Sequence, residues 1–487
     1  MLPYKSLVPL EKSAKTPLFL QIANGLMDNI KKGVIPKGTK LLGTRAMAAA
    51  LDVHRQTVIA AYDELLAQGW IETQATKGTF VSLKIPIIKP ITLEEKAVKK
   101  DSKIKTGFTF NKTNLLNAPP IRGSSMLGLD DGYPDVRLAP TEALARAFRT
   151  VLQKGYQKNT LFYGDTKGDL SLRESIRDYL NESRGLHITT DNVLITRGSL
   201  MAIYLAIQTI LQPSDRLVVG KIGYGSGNLI FKQRGVELLY VDVDEHGLNV
   251  EQIAQLCREK PIKMVYLTPH HHYPTTVTMS AERRMHLLQL ANDYQFCILE
   301  DDYDYDFHYT SSPILPLASV DTEGVVAYIG SMSKTISPAI RIGYIVAPSE
   351  LIDEMSFLRR IIDRQGDNLL EAAIALLFKE GEIKRHLKKS HRTYHKRCDL
   401  FCDLLTTELG DAIEFKKPNG GMAVWAKFDR SLNLPQLAEK ALSKGLKINN
   451  GATFNPEGIH LNATRLGFAS INDGEIEKAI QLLKSLI

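Results

Sequence analysis

At 487 residues, 44% hydrophobic and 24% charged, the chain has the balance of a water-soluble globular protein of two or three domains. No apolar run approaches the ~18 residues of a membrane span, and the opening MLPYKSLVPLEKSAK lacks the apolar core and cleavage site of a secretory leader. The net charge of +7 is uneven: residues 1–105 hold 17 Lys+Arg against 9 Asp+Glu, so the whole basic excess lies there and attracts polyanions such as DNA.

Residues 12–82 read as one module. Pro17 opens a helix whose Leu18, Ile22, Leu26 and Ile30 form an apolar stripe, closed by Gly33. Thr44 is placed to cap a short helix from Arg45 to Leu51, and Asp52-Val53 makes a tight turn. A third helix starts at His54 and buries Val58, Ala61, Tyr62, Leu65 and Leu66. Two short strands, Trp70 to Thr73 and Thr79 to Ser82, surround Lys77-Gly78. Helix, helix, turn, helix and hairpin is a winged helix-turn-helix, whose recognition helix enters the major groove of double-stranded DNA. Arg45, and Arg55, Gln56 and Thr57 at the start of the recognition helix, are the expected DNA contacts, with Gly78 at the wing tip allowing close approach. A helical protein–protein module is the alternative.

Residues 83–122 lose periodicity. Ile85-Pro86, Lys89-Pro90 and Pro119-Pro120 break structure and Lys96 to Lys105 is lysine-rich, so a mobile basic tether is expected. From 123 to 487 helices alternate with short apolar strands, which argues for an α/β body with a mostly parallel sheet. The expected strands are Val193 to Thr196, Arg216 to Val219, Glu237 to Val241, Met264 to Thr268, Phe296 to Glu300, Val325 to Ile329 and Arg341 to Ala347. Such sheets bind ligands beyond the carboxyl ends of their strands. Cys257, Cys297, Cys398 and Cys402 have neither zinc nor disulfide spacing, which reads as a reduced, cytoplasmic protein.

The chemistry-bearing stretch is Tyr328 to Pro348, YIGSMSKTISPAIRIGYIVAP. A lysine between two apolar strands loses charge on burial, and its neutral amine attacks aldehydes. Lys334 with the hydroxyls of Ser331 and Ser333 and the guanidinium of Arg341 describes a pocket for an aldehyde that carries a phosphate: pyridoxal 5'-phosphate (PLP). Gly198, Ser199 and Leu200 follow a strand and open a helix, where free N–H groups favour phosphate. Tyr224, on a Gly-flanked loop, can stack on a flat ring. Asp301 ends an apolar strand and can keep a pyridine nitrogen protonated, while Tyr303 can bind a ring oxygen. A cation site or helix capping is the other reading of those acids. His270, His271 and His272 run together without further ligand spacing, so no metal is expected. Arg465, in the apolar strand near the end, can clamp a carboxylate or make a structural ion pair.

Two resemblances sharpen these readings. Pro17-Leu18, Gln21-Ile22, Arg45, Arg55, Thr57-Val58, Ala61-Tyr62 and Gly78-Thr79-Phe80-Val81 resemble the GntR family of bacterial repressors, with His54 standing where the family usually has Ser and weakening the expected cap. Residues 123–487 resemble fold-type I aminotransferases through Gly132-Tyr133-Pro134-Asp135, Phe162-Tyr163-Gly164-Asp165, Asp301-Asp302-Tyr303 and Ser331-Met332-Ser333-Lys334. The fusion is similar to the MocR subfamily of transcriptional regulators. That resemblance implies a PLP-transferase body with a smaller C-terminal α/β subdomain and an internal aldimine at Lys334. It implies Asp301 on the pyridine nitrogen, Tyr303 on the ring oxygen, Tyr224 on the ring, and Ser199, Ser331, Ser333 and Arg341 around the phosphate. Tyr163 then reaches the phosphate from a partner subunit of a homodimer. Arg465 takes the carboxylate of a small amino-acid-like effector, sensed by external aldimine formation. A working aminotransferase with a secondary DNA module, and a DNA-binding protein with an inert dimerisation platform, are the other readings.

Overall fold

The structure, a computed structural model, describes residues 2–85, 106–112, 127–155, 160–310, 314–454 and 459–487. The chain divides into two compact units, Met1–Asn111 and Lys112–Ile487. Most of the expected tether, 86–105 and 113–122, lies outside the described residues.

In the first unit, helices Leu18–Lys31, Thr44–Leu51 and Arg55–Ala67 precede an antiparallel hairpin of Ile71–Gln74 and Gly78–Val81. The stripe foreseen on the first helix packs as expected, with Ile22, Leu26 and Ile30 buried. The core reaches further towards the N-terminus than residue 12. A short helix at Tyr4–Leu7 buries Tyr4 and Val8 in the same cluster, and the Asn29 amide donates to the Leu7 carbonyl at 2.7 Å. Three local expectations are corrected. Thr44 lies inside the helix it was expected to cap, after an extended Gly43. Leu66 is 37% exposed, one position off the face on which the helix buries Val58, Ala61, Tyr62 and Leu65. Gly78 is not the tip: it pairs with Gln74, and Ala75–Lys77 make the turn.

Among the described residues the second unit is built on a seven-stranded sheet. Its order is Val193–Thr196, Gly343–Val346, Val326–Ser331, Cys297–Asp302, Met264–Leu267, Arg216–Gly220 and Glu237–Val241. Gly343–Val346 runs antiparallel to both neighbours and the remaining pairs are parallel. Strand residues alternate between the two faces: Leu194, Leu299 and Ile329 join one apolar cluster, while Val193, Ile195 and Ile298 join clusters on the opposite side. Both faces are therefore covered, as near-continuous apolar strands require. A smaller subdomain carries the antiparallel strands Ile413–Phe415, Ala423–Phe428 and Ala463–Gly467 with helices Glu382–Leu404, Leu434–Ser443 and Asp473–Lys484 around its own core. No helix among the described residues is long and apolar enough to cross a membrane.

The sheet fixes the site by where its strands end. Cys297–Asp302 and Val326–Ser331 are parallel neighbours, with Asp301 opposite Ile329 and Asp302 opposite Gly330. The carboxyl ends of both strands thus bring the acidic run and the Ser331–Lys334 turn to one edge.

Candidate cofactor site and DNA-facing module

Lys334 sits on a one-turn helix, Met332–Thr335, that begins where strand Val326–Ser331 stops. Ser331 caps the turn, its hydroxyl accepting the Ser333 N–H at 3.1 Å. The Lys334 amine donates to the Gly132 carbonyl at 2.5 Å and lies 4.6 Å from the centre of the Tyr133 ring. Burial lowers its pKa, and nearby Arg465 pushes the same way against the pull of Asp131, Asp130 and Asp304.

Strand alternation sends Asp301 to one face of the sheet and Glu300 and Asp302 to the other. Both oxygens of Glu300 accept the Leu317 and Ala318 N–H groups, each at 3.0 Å. Asp302 accepts the Tyr328 hydroxyl at 2.8 Å. Asp301 points towards Tyr266, whose hydroxyl donates to its Oδ2 at 2.9 Å, while its buried Oδ1 has no hydrogen-bond partner among the described residues. Burial lifts Asp301 from 3.8 to about 7. The hydroxyl of Tyr303 donates to the His271 carbonyl at 2.9 Å.

A run of rings connects the acid to the arginine. Asp301 and burial raise the pKa of Tyr224 to about 12, burial being the larger cause. The Tyr224 ring meets Tyr273 edge-on at 5.4 Å, and Tyr273 in turn lies 6.4 Å from Tyr303. Arg465 stands over Tyr273 and Tyr303 at 5.3 and 5.9 Å and is 1% exposed.

Gly198 has φ +83 and precedes helix Ser199–Ile210. A Cβ at Gly198 would meet the Arg341 guanidinium at 2.5 Å, so this glycine lets the arginine lie against the helix start. Arg341 also donates to the Arg197 carbonyl at 2.7 Å. It was expected in the strand but precedes it, in a left-handed conformation at φ +51 that turns the chain into Gly343–Val346. The Ser333 hydroxyl is buried without a hydrogen-bond partner among the described residues. Leu200 is 37% exposed in the first turn of the helix, and Tyr163 is 75% exposed beneath the Arg364 guanidinium at 4.1 Å. The three consecutive histidines separate: His271 pairs with Asp304 at 2.8 Å, His272 with Thr275 at 2.9 Å, and the His270 ring lies tilted against Tyr305 at 4.4 Å.

In the first unit Arg45, Arg55 and Gln56 are exposed and Thr57 is half-buried. The Arg55 guanidinium donates to the Thr44 hydroxyl at 3.4 Å, tying the two helices together. His54 does cap the third helix: its Nδ1 accepts the Gln56 N–H, at a long 3.3 Å. Gly78 has φ +112, and a Cβ there would meet the Lys40 side chain at 2.9 Å. Its freedom is therefore needed within the module itself.

Comparison with known proteins agrees with both halves. The model of aminotransferase class I and II matches residues 125–483. The chain belongs to the aminotransferase class I and II family. The model of bacterial regulatory proteins of the gntR family matches residues 18–81, and the two together make the chain a MocR-type regulator. It is 27% identical to the probable rhizopine catabolism regulatory protein MocR of Rhizobium meliloti over 98% of this chain and 95% of that one. It is 29% identical to the transcriptional regulator TauR of Rhodobacter capsulatus over 93% of each. The body superposes on the kynurenine aminotransferase of Pyrococcus horikoshii with TM-score 0.69 and 27% identity, covering 74% of this chain and 91% of that one.

Sequence reasoning on this MocR-type chain missed Tyr266, Tyr273 and Asp131. Tyr266 belongs to the site only because Met264–Leu267 pairs beside Cys297–Asp302, with Tyr266 opposite Leu299, two residues before Asp301 on the same face. Gly343 opens the antiparallel strand beside the site. A Cβ there would meet the Gly198 Cα at 2.8 Å, backbone against backbone. Gly343→Ala is expected to cost about 1–3 kcal/mol by prising these segments apart, read as a lower denaturation midpoint; an unchanged midpoint would show that the sheet edge absorbs the methyl group.

Proposed function

We propose that the body holds pyridoxal phosphate at Lys334 and responds to an amino compound, and that this response governs how the N-terminal module binds operator DNA. The observation that carries the reading is the Asp301 carboxylate, buried with one oxygen unpartnered among the described residues, in the same site as a desolvated lysine amine. Asp301 would hold a protonated pyridine nitrogen through that oxygen. Gly198, Ser199 and the first-turn N–H groups, with Ser331, Ser333 and Arg341, suit its phosphate. When bound, the cofactor supplies an aldehyde for which Lys334 and an effector amine compete, and a ring that draws electrons.

The chain's own groups do the rest. Desolvation keeps the Lys334 amine available for attack. Tyr224 would cover the ring, and the Tyr303 hydroxyl, which donates to the His271 carbonyl, would serve the ring oxygen. Arg465 receives the effector's carboxylate. The long exposed side chain of Tyr163 serves the phosphate of a partner in a homodimer, which reads a repeated or palindromic site and is open to exchange of the DNA-binding modules between partners. Such a protein works in the cytoplasm. Relatives that align along the whole chain are named regulators, which favours sensing over transamination as the role of the site.

Titration of the purified protein with amino acids, followed by its visible absorbance and by operator binding, tests the reading. A spectral change coupled to altered DNA affinity supports it; steady conversion of a keto acid without any change in DNA affinity refutes it. For the DNA half, Arg55→Ala is expected to weaken binding to a duplex selected from a random pool by about 1–3 kcal/mol, leaving the cofactor spectrum unchanged.

A further inference from the structure

Arg465 already has a carboxylate beside it. Oδ1 of Asp131 lies 3.5 Å from its Nε, and the Asp131 carbonyl accepts the same N–H at 3.2 Å. The Pro274 carbonyl takes Nη1 at 3.3 Å. Gly132, next in sequence, accepts the Lys334 amine, and a Cβ on it would meet Nη2 of Arg465 at 3.2 Å. Residues 131–132 therefore run between the amine that defines one end of the effector site and the guanidinium that defines the other.

The fit of Asp131 to Arg465 is poor in a specific way. A charge-assisted bond to a guanidinium normally closes to about 2.7–2.9 Å, and the best ones are bidentate. Asp131 offers one oxygen at 3.5 Å, and that buried oxygen has no hydrogen-bond partner among the described residues. Its other oxygen is held by the Tyr273 hydroxyl at 2.8 Å. Arg465 is 1% exposed, but the Asp131 side chain is 33% exposed and precedes a glycine at φ +77. The acid can turn towards solvent, whereas the arginine cannot.

We propose that Asp131 is an internal stand-in for the effector's carboxylate, a weak counter-ion that neutralises buried Arg465 until a better-shaped anion displaces it. The inference rests on the role given to Arg465 above. It makes Asp131 a specificity-determining residue. An amine that lacks an anionic group cannot displace it and gains nothing from Arg465. A carboxylate that faces the guanidinium squarely gains two short bonds, against the loose 3.5 Å contact and the Tyr273 hydrogen bond that Asp131 gives up on turning away. The site therefore selects amino compounds that carry a carboxylate or a similar planar anion.

The test uses the full-length, PLP-loaded protein and two half-effectors: propionate, a carboxylate without an amine, and propylamine, an amine without a carboxylate. Each is titrated against the thermal denaturation midpoint. Asp131→Asn keeps the shape and an acceptor for Tyr273 but removes the competing charge. It is expected to lower the propionate concentration for half-maximal stabilisation about tenfold and to change that for propylamine by clearly less, the remainder reflecting the pull of Asp131 on the Lys334 amine. Asp131→Ser is expected to move propionate in the same direction, should the amide pack badly. Propionate binding that is unchanged, weakened or absent in both variants overturns the proposal, as does an equal gain for propylamine. A propylamine response missing from parent and variants alike, with the propionate gain intact, counts only against amine capture at Lys334.

Discussion

Lys334→Ala is expected to yield a folded, DNA-binding protein that no longer retains pyridoxal phosphate. The substitution removes a half-buried amine whose charge is disfavoured by desolvation, so the fold loses one hydrogen bond to Gly132 and sheds a desolvation cost at the same time. The two effects oppose each other, and the denaturation midpoint should move by only a few degrees. The DNA-binding half forms a separate compact unit with its own core, so its intrinsic affinity for DNA should survive. What disappears is the covalent hold. Borohydride reduction followed by peptide mass spectrometry should find the cofactor on the Lys334 peptide of the parent protein and on no peptide of the variant, whose visible absorption band should be absent. Operator binding in the variant should also stop responding to amino compounds. A label fixed on a different lysine, or a response that persists in the variant, would place the sensor elsewhere.

What could be read in advance from the chain was what depends on near neighbours. The apolar period of Leu18–Lys31, the alternating helices and strands of the body and the acids ending a buried strand are local patterns, and each appears where expected. Lys334 could be singled out because the chemistry of a lysine between two apolar strands is unusual in itself. The remainder depends on which segments meet. Tyr266 reaches Asp301 through strand pairing, and Asp131 reaches Arg465 across 334 residues of sequence, separations at which no periodicity carries information. Local errors had local causes. Arg341 follows Pro338–Ile340 and takes a left-handed turn before its strand starts, so enrichment in Ile and Tyr placed the strand two residues early. Gly78 looked like a hairpin tip because Lys-Gly is turn chemistry; the register instead puts it in a pair with Gln74.

Asp301→Asn is expected to steady the cofactor-free protein at alkaline pH and to deprive it of its cofactor. Burial, the largest cause, lifts the Asp301 carboxyl from 3.8 to about 7. In the unfolded chain the group loses its proton near the lower value, and in the folded chain near the upper one. Folding therefore takes up a proton between them, and stability falls as pH rises from about 4 through about 7. Three pH units at about 1.4 kcal/mol each make this a cost of roughly 4 kcal/mol above neutrality. Asparagine carries no charge to desolvate and still accepts from Tyr266. The variant should thus denature several degrees higher than the parent at about pH 8.5 and close to it at about pH 5.5, both without cofactor. Glu300 and Asp302, lifted by burial to about 7 and about 6, titrate beside it, so the slope should shrink rather than vanish. Cofactor binding should move the opposite way. A buried cation left without its counter-charge costs roughly 3–5 kcal/mol, so affinity for pyridoxal phosphate should drop about 10²- to 10⁴-fold. The two results belong together: the carboxylate that burdens the bare fold is the one that the pyridinium relieves. A variant that keeps both the parent's pH slope and its affinity for the cofactor would show that Asp301 does neither.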